Sequence, residues 1–281
     1  MEISSSADFV RMTRSMLEAS GFVRHELDGT VWFESAPSGP PGSQPGDGGR
    51  AESPSLQRET LVLVHGANDQ AGTWFTVAPT LARTYRVLIP DLPGHGDSAP
   101  VSGPIPISLI LERLEAILAN ERDLTLVGNS LGGWVVLLYA LRNPSKVSRL
   151  FLESSGGLTR PLSSPLVAHD RDEAMTILRA VHGPNVQPKE WVVEALLQRA
   201  ADSPMLRLTE LQEHLIEHRL GEIHAPATLV WGSDDGVLPL SYAAALQQAI
   251  PGSRLKVIEG AAHIPHMQQP ERFLACLTAT S

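Results

Sequence analysis

Two periodicities alternate along the chain. Short runs of consecutive apolar residues predict strands buried on both faces. They fall at residues 60–64 (T-L-V-L-V), 85–90 (Y-R-V-L-I-P), 124–128, 147–153, 227–231 and 254–258. Between them, apolar residues recur three or four apart and predict amphipathic helices at 74–83, 107–119, 131–142, 239–250 and 270–277. In 107–119 the apolar face is Leu111, Leu114, Ile117 and Leu118, and Asn143-Pro144 closes the helix over 131–142. Strands separated by single helices give a mostly parallel central sheet with helices on both faces, an α/β fold.

Three segments depart from this rhythm. Residues 8–20 predict a helix, with Asp8 as N-cap, Phe9, Met12, Met16 and Leu17 at helical spacing, and Gly21 as the stop. Strand-like runs at 21–27 and 30–35 flank Asp28-Gly29, a strong hairpin signal. Residues 36–58 predict a flexible surface loop, since 36–55 alone hold five prolines and five glycines without periodicity. Residues 157–225 carry helical patterns near 170–181, 188–201 and 209–220 and no convincing strand. That is far more chain than one crossover needs, so 157–225 is expected to be an inserted helical cap. The core then comprises 1–156 and 226–281. Ligands bind at the carboxyl ends of parallel strands, where such a cap would lie.

Composition narrows the function. The chain has 281 residues, one cysteine (Cys276) and a net charge of −9. One thiol excludes a disulfide scaffold, and the acidic balance disfavours nucleic acid as a partner. The longest apolar run, 134–141, is too short to span a membrane. The N-terminus M-E-I-S-S-S-A-D has no basic, apolar leader. A soluble, cytoplasmic protein with no membrane partner is the expectation.

The chemistry centres on L-T-L-V-G-N-S-L-G-G-W (124–134), which holds G-x-S-x-G with Ser130 in the middle. It lies where an apolar strand ends and an apolar helix begins, the place of a nucleophile elbow. A serine at so sharp a turn is forced into unfavourable φ/ψ, and Gly128 and Gly132 let neighbouring backbone approach. The helix start directs free N–H groups at the reacting centre, making the Leu131 amide a natural oxyanion donor. A serine nucleophile needs a base, and the base an orienting acid, here in the chain order Ser, acid, His. W-G-S-D-D-G supplies Asp234 and Asp235 after one strand, and G-A-A-H-I-P-H supplies His263 and His266 after the next.

From about residue 20 to 280 the chain resembles the α/β-hydrolase family, in its capped esterase, C–C hydrolase and lactonase branch. The resemblance rests on L-V-H-G (63–66), D-L-P-G-H-G-D-S (91–98), G-N-S-L-G-G, W-G-S-D-D-G-V-L-P and G-A-A-H followed by Q-P-E-R-F. It implies Ser130 as nucleophile, His263 as base and Asp235 as acid, with Asp234 the runner-up and His266 a neighbour near the pocket rim. It also implies an oxyanion hole of the Ala67 and Leu131 amides. Asn68, Trp74, Asn129 and Trp134 are candidate substrate-binding residues; Trp74, Trp134 and Trp191 fit ordinary core packing equally well. The implied activity is hydrolysis of a small carboxylic ester, thioester or lactone through an acyl-enzyme, with no cofactor and no metal. C–C bond hydrolysis, perhydrolysis, acyl transfer or a non-catalytic binding role on the same fold are the alternatives.

Other candidates weigh less. His214-Leu215-Ile216-Glu217-His218 matches H-x-x-E-H, but the expected helix has Leu208, Leu211, Leu215 and Ile216 on its apolar side and no third ligand nearby. A solvated polar face is the expectation there. His65 and His95 are expected to order loop backbone, and Cys276 to be a buried, inert thiol.

Overall fold

The computed structural model describes residues 3–36 and 58–278. Apart from its two ends, the loop expected over 36–58 lies outside the described residues. In chain order the elements are α1 (Ser6–Ala19), β1 (Phe22–Leu27), β2 (Thr30–Ser35), β3 (Thr60–Val64), α2 (Ala78–Leu81), β4 (Arg86–Pro90), β5 (Ile105–Pro106), α3 (Ile107–Ile117), β6 (Leu124–Asn129), α4 (Leu131–Arg142), β7 (Val147–Glu153), α5 (Arg171–His182), α6 (Glu190–Arg199), α7 (Pro204–Arg207), β8 (Leu208–Thr209), β9 (Ala227–Gly232), α8 (Leu240–Ala249), β10 (Arg254–Ile258), α9 (Pro265–Gln268) and α10 (Pro270–Thr278).

Eight strands form one sheet in the order β1-β2-β4-β3-β6-β7-β9-β10. β2 pairs antiparallel with β1 and with β4, and the remaining pairs are parallel. The β1–β2 hairpin turns at Asp28 and Gly29, both with positive φ (49° and 74°), as a two-residue hairpin requires. Alternate residues of the central strands feed two separate cores. Val62 and Val64 of β3 join the layer of α3, α4 and α8, whereas Leu61 and Leu63 join that of α1, α2 and α10. Burial on both faces is why these strands are continuous apolar runs. A smaller cluster of Ala174, Ile177, Leu178 and Val193 joins α5 to α6 in the segment between β7 and β9.

Three sequence expectations need correction. The N-cap of α1 is Ser5, not Asp8. The Ser5 hydroxyl accepts from the Asp8 amide at 3.1 Å and donates to the Asp8 carboxylate at 2.8 Å, which holds that carboxyl down at about 2. The helix expected over 74–83 splits into a 3-10 turn (Ala71–Thr76) and α2, because Pro79 is tolerated only where a helix starts. The helix expected over 209–220 does not form. β8 pairs with β5, Glu210 takes φ +63°, and only Glu217–Glu222 winds into a 3-10 turn. Leu208, Ile216 and Leu220 are buried in the main core, so their spacing follows the shape of that core.

Among the described residues, no helix is long and apolar enough to cross a membrane.

Candidate active site

The turn from β6 to α4 holds Ser130 at φ 54°, ψ −114°, a strained conformation for a residue with a Cβ. Close backbone packing makes it possible. A Cβ on Gly128 would lie 2.4 Å from the Gly132 carbonyl oxygen, and one on Gly132 would lie 2.2 Å from that of Val64. The Ser130 amide donates to the Glu153 carbonyl at the end of β7 (3.0 Å), and its own carbonyl accepts from Gly156 (3.0 Å). The end of β7 and the residues just after it thus hold Ser130 by both of its main-chain polar groups.

His263 follows β10, and its Nδ1 lies 3.0 Å and 3.1 Å from the two carboxylate oxygens of Asp235. Asp235 Oδ1 also accepts from the Val237 and Leu238 amides, each at 2.9 Å. Its side chain is fully buried, and that of His263 is 7% exposed. Asp234 is exposed, its carboxylate taking the Ser233 hydroxyl at 2.8 Å. Of the two adjacent aspartates, then, Asp235 is the one that meets the imidazole. The serine turn and the histidine loop are tied by Asn129, whose Nδ2 donates to the His263 carbonyl at 3.0 Å. Among the described residues, neither the Ala67 nor the Leu131 amide donates to another backbone group outside regular helices and strands.

Comparison with known proteins identifies the family. A model of the alpha/beta hydrolase family matches residues 61–275. The chain belongs to this family. It is 32% identical over 234 residues to a pimeloyl-[acyl-carrier protein] methyl ester esterase of Neisseria meningitidis, covering 76% of this chain and 74% of that protein. It is 27% identical over 242 residues to a 2-hydroxy-6-oxononadienedioate/2-hydroxy-6-oxononatrienedioate hydrolase of Cupriavidus pinatubonensis, covering 76% and 84%. A solved bacterial membrane phospholipase A superposes with a TM-score of 0.75 at 24% identity over 96% of this chain and 91% of that one, a likeness of fold.

In this α/β-hydrolase the last turn of α5 reaches the loops that carry Asp235 and His263. The carbonyls of Ala180, Val181 and His182 accept from Gly236 N (3.0 Å), His263 N (3.1 Å) and Gln268 Nε2 (2.9 Å). Helix termini leave such carbonyls without partners of their own, so the two loops and Gln268 of α9 satisfy them. His182 itself titrates low because its recess desolvates it, with Asp69 opposing and His263 reinforcing that shift. Sequence reading missed this contact, since nothing local marks a helix end as the partner of residues 56 to 86 positions away.

The expected substrate-binding residues are otherwise engaged. Asn68 has φ 61° and spends its amide on the segment between β7 and β9. It donates to the Leu166 carbonyl (3.2 Å) and accepts from the Ser203 hydroxyl (2.7 Å) and the Met205 amide (3.4 Å). Trp74 is wholly buried, stacked on His266 with ring centroids 4.1 Å apart, so it is a core residue. Asn129 bridges to His263, and Trp134, 7% exposed, donates from Nε1 to the His214 carbonyl. His266 is not at a rim: it is 1% exposed. Asn68→Ala is expected to lower unfolding stability by about 2–3 kcal/mol. It strands a hydroxyl and an amide, and it sets alanine in a left-handed conformation. Urea denaturation checks this, and an unchanged midpoint would show that the Asn68 amide anchors nothing.

His65 and His95 order backbone as expected. His65 Nε2 accepts from the Leu92 amide (3.0 Å), and His95 Nδ1 lies 3.0 Å from the Pro93 carbonyl, with burial pushing His95 down to about 3. Asp91 is buried and accepts from the Ala71 and Asp97 amides. The H-x-x-E-H stretch has no helical face to share, and Glu217 is spent on the Thr159 amide at 3.2 Å. Cys276 is half-buried, and desolvation pushes its thiol up.

Proposed function

We propose that the chain is a serine hydrolase that cleaves a carboxylic ester, thioester or lactone of a small molecule. The observation that carries this reading is a serine strained to positive φ on a turn bonded, through Asn129, to the loop of a buried imidazole–carboxylate pair. In this reading Ser130 Oγ attacks the acyl carbonyl and His263 takes its proton on Nε2. Asp235 holds the tautomer with hydrogen on Nδ1 and stabilises the imidazolium. The Ala67 and Leu131 amides stabilise the oxyanion, worth about 3 kcal/mol per donor. The imidazolium returns the proton to the leaving oxygen or sulfur, an acyl-enzyme forms, and water resolves it by the reverse sequence. Residues 157–225 act as a cap over the site, held through Asn68 and the last turn of α5. An esterase and a C–C bond hydrolase among the relatives support hydrolysis at a carbonyl, and the ester is the simpler substrate for a Ser-His-Asp set.

A serine-directed fluorophosphonate tests the reading. The protein is expected to take up one phosphonate, localised by mass spectrometry to Ser130, and to release a burst of p-nitrophenol from a short acyl ester. A label on Ser154, or none, would sink it. Labelling of Ser130 without ester turnover, but with turnover of a ring-fission diketone, would move the assignment to C–C hydrolysis.

A further inference from the structure

Three residues beyond His263 lies a second imidazole with a carboxylate of its own, and the mechanism above uses neither. Glu153 ends β7, and its side chain is fully buried. Its Oε1 accepts from the His266 amide and its Oε2 lies against His266 Nδ1, both at 2.7 Å. The His266 ring is held on its other sides as well. Nε2 lies 3.2 Å from the Thr73 hydroxyl, the face stacks on Trp74, and Phe273 approaches the ring at 6.0 Å. Thr76 donates its hydroxyl to the His266 carbonyl at 2.8 Å.

What distinguishes this pair is where Glu153 sits. Its backbone carbonyl accepts the Ser130 amide at 3.0 Å and lies 3.5 Å from Asn129 Nδ2. One residue therefore grips the serine turn with its main chain and the histidine loop with its side chain. A carboxylate buried this deeply is a poor choice for stability alone, since apolar replacement of buried ion pairs is often neutral or stabilising. What the bonds supply is register: two short contacts of fixed direction, which apolar packing does not impose.

We propose that Glu153 and His266 are positioning residues that set the separation between Ser130 Oγ and His263 Nε2 by bracing the serine turn against the histidine loop. The inference rests on the serine-hydrolase reading given above. Misplacement of reacting groups by about 1 Å costs on the order of 10²-fold in rate. Loosening the brace should therefore slow chemistry and leave substrate binding alone.

The test compares the parent with Glu153→Gln and with the double replacement Glu153→Leu/His266→Leu, which removes both polar partners together. Thr73→Val is the milder variant, loosening the ring from its far side without unpairing the carboxylate. For a p-nitrophenyl ester, kcat is expected to fall about 10²-fold in the first two and about tenfold in Thr73→Val, with KM within about twofold of the parent. The second-order rate of phosphonate labelling at Ser130 should fall in parallel. Parent-like kcat and labelling rates in the folded variants would overturn the proposal, as would a rise in KM with kcat unchanged. The two readings fail separately. If the parent is not labelled at Ser130, the hydrolase assignment falls. If it is labelled and these variants match it, only the brace falls.

Discussion

Ser130→Ala is expected to lower kcat for a p-nitrophenyl ester by about 10⁴–10⁶-fold while the protein remains folded. The change removes a hydroxyl from a partly exposed side chain, so it leaves no buried cavity. It also keeps the turn, whose hydrogen bonds to Glu153 and Gly156 run through the main chain. Asp235→Asn should cost about 10⁴-fold for a different reason. Oδ1 of residue 235 accepts from the Val237 and Leu238 amides. In asparagine that position must be the carbonyl oxygen, which turns the NH₂ toward His263 Nδ1. The imidazole then carries its hydrogen on Nε2 and cannot take a proton from serine. Steady-state kinetics on both variants checks this, with circular dichroism to establish folding. A kcat within tenfold of the parent in either folded variant removes the triad.

Gly132→Ala is expected to produce a large loss of stability, about 3 kcal/mol or more. The new Cβ would stand 2.2 Å from the Val64 carbonyl oxygen and 2.5 Å from that of His65, both main-chain atoms. No rotamer can relieve such a contact, so β3 and α4 must separate. Because β3 leads into His65, Gly66 and Ala67, the Ala67 amide would move with it, and activity should fall alongside stability. Gly221→Ala is the control, because a Cβ there meets nothing within 4 Å. Urea unfolding midpoints for the two variants decide the matter. Equal midpoints would mean that the elbow accommodates a side chain, and the packing argument for G-x-S-x-G would be lost.

Much of the architecture was readable along the chain. Residues 131–142, 147–153 and 254–258 were assigned with the bounds the structure shows. In 131–142 and 147–153 most residues are buried, so the apolar run reports directly on structure, whereas β10 is an edge strand whose one buried residue is Ile258. Residues 209–220 misled because their leucines and isoleucine fill an irregular part of the main core, and equal spacing arises there without a helix. Asp8 is not the cap because Ser5, three residues upstream, takes that place and accepts from the Asp8 amide.

Local pattern therefore specified the alternation of strands and helices, the hairpin at Asp28-Gly29 and the cramped turn at Ser130. Each is decided by residues within a few positions of one another, through backbone sterics and burial. The pairings across the site were decided by the order of strands in the sheet. β7 lies between β6 and β9, and β9 beside β10. That order places Asp235 on His263 across 28 residues and Glu153 on His266 across 113. It also draws the polar ends of Asn68, Asn129 and Trp134 to protein partners. A hydrogen bond between distant positions depends on where folding brings both chain segments, and neither segment alone carries that information.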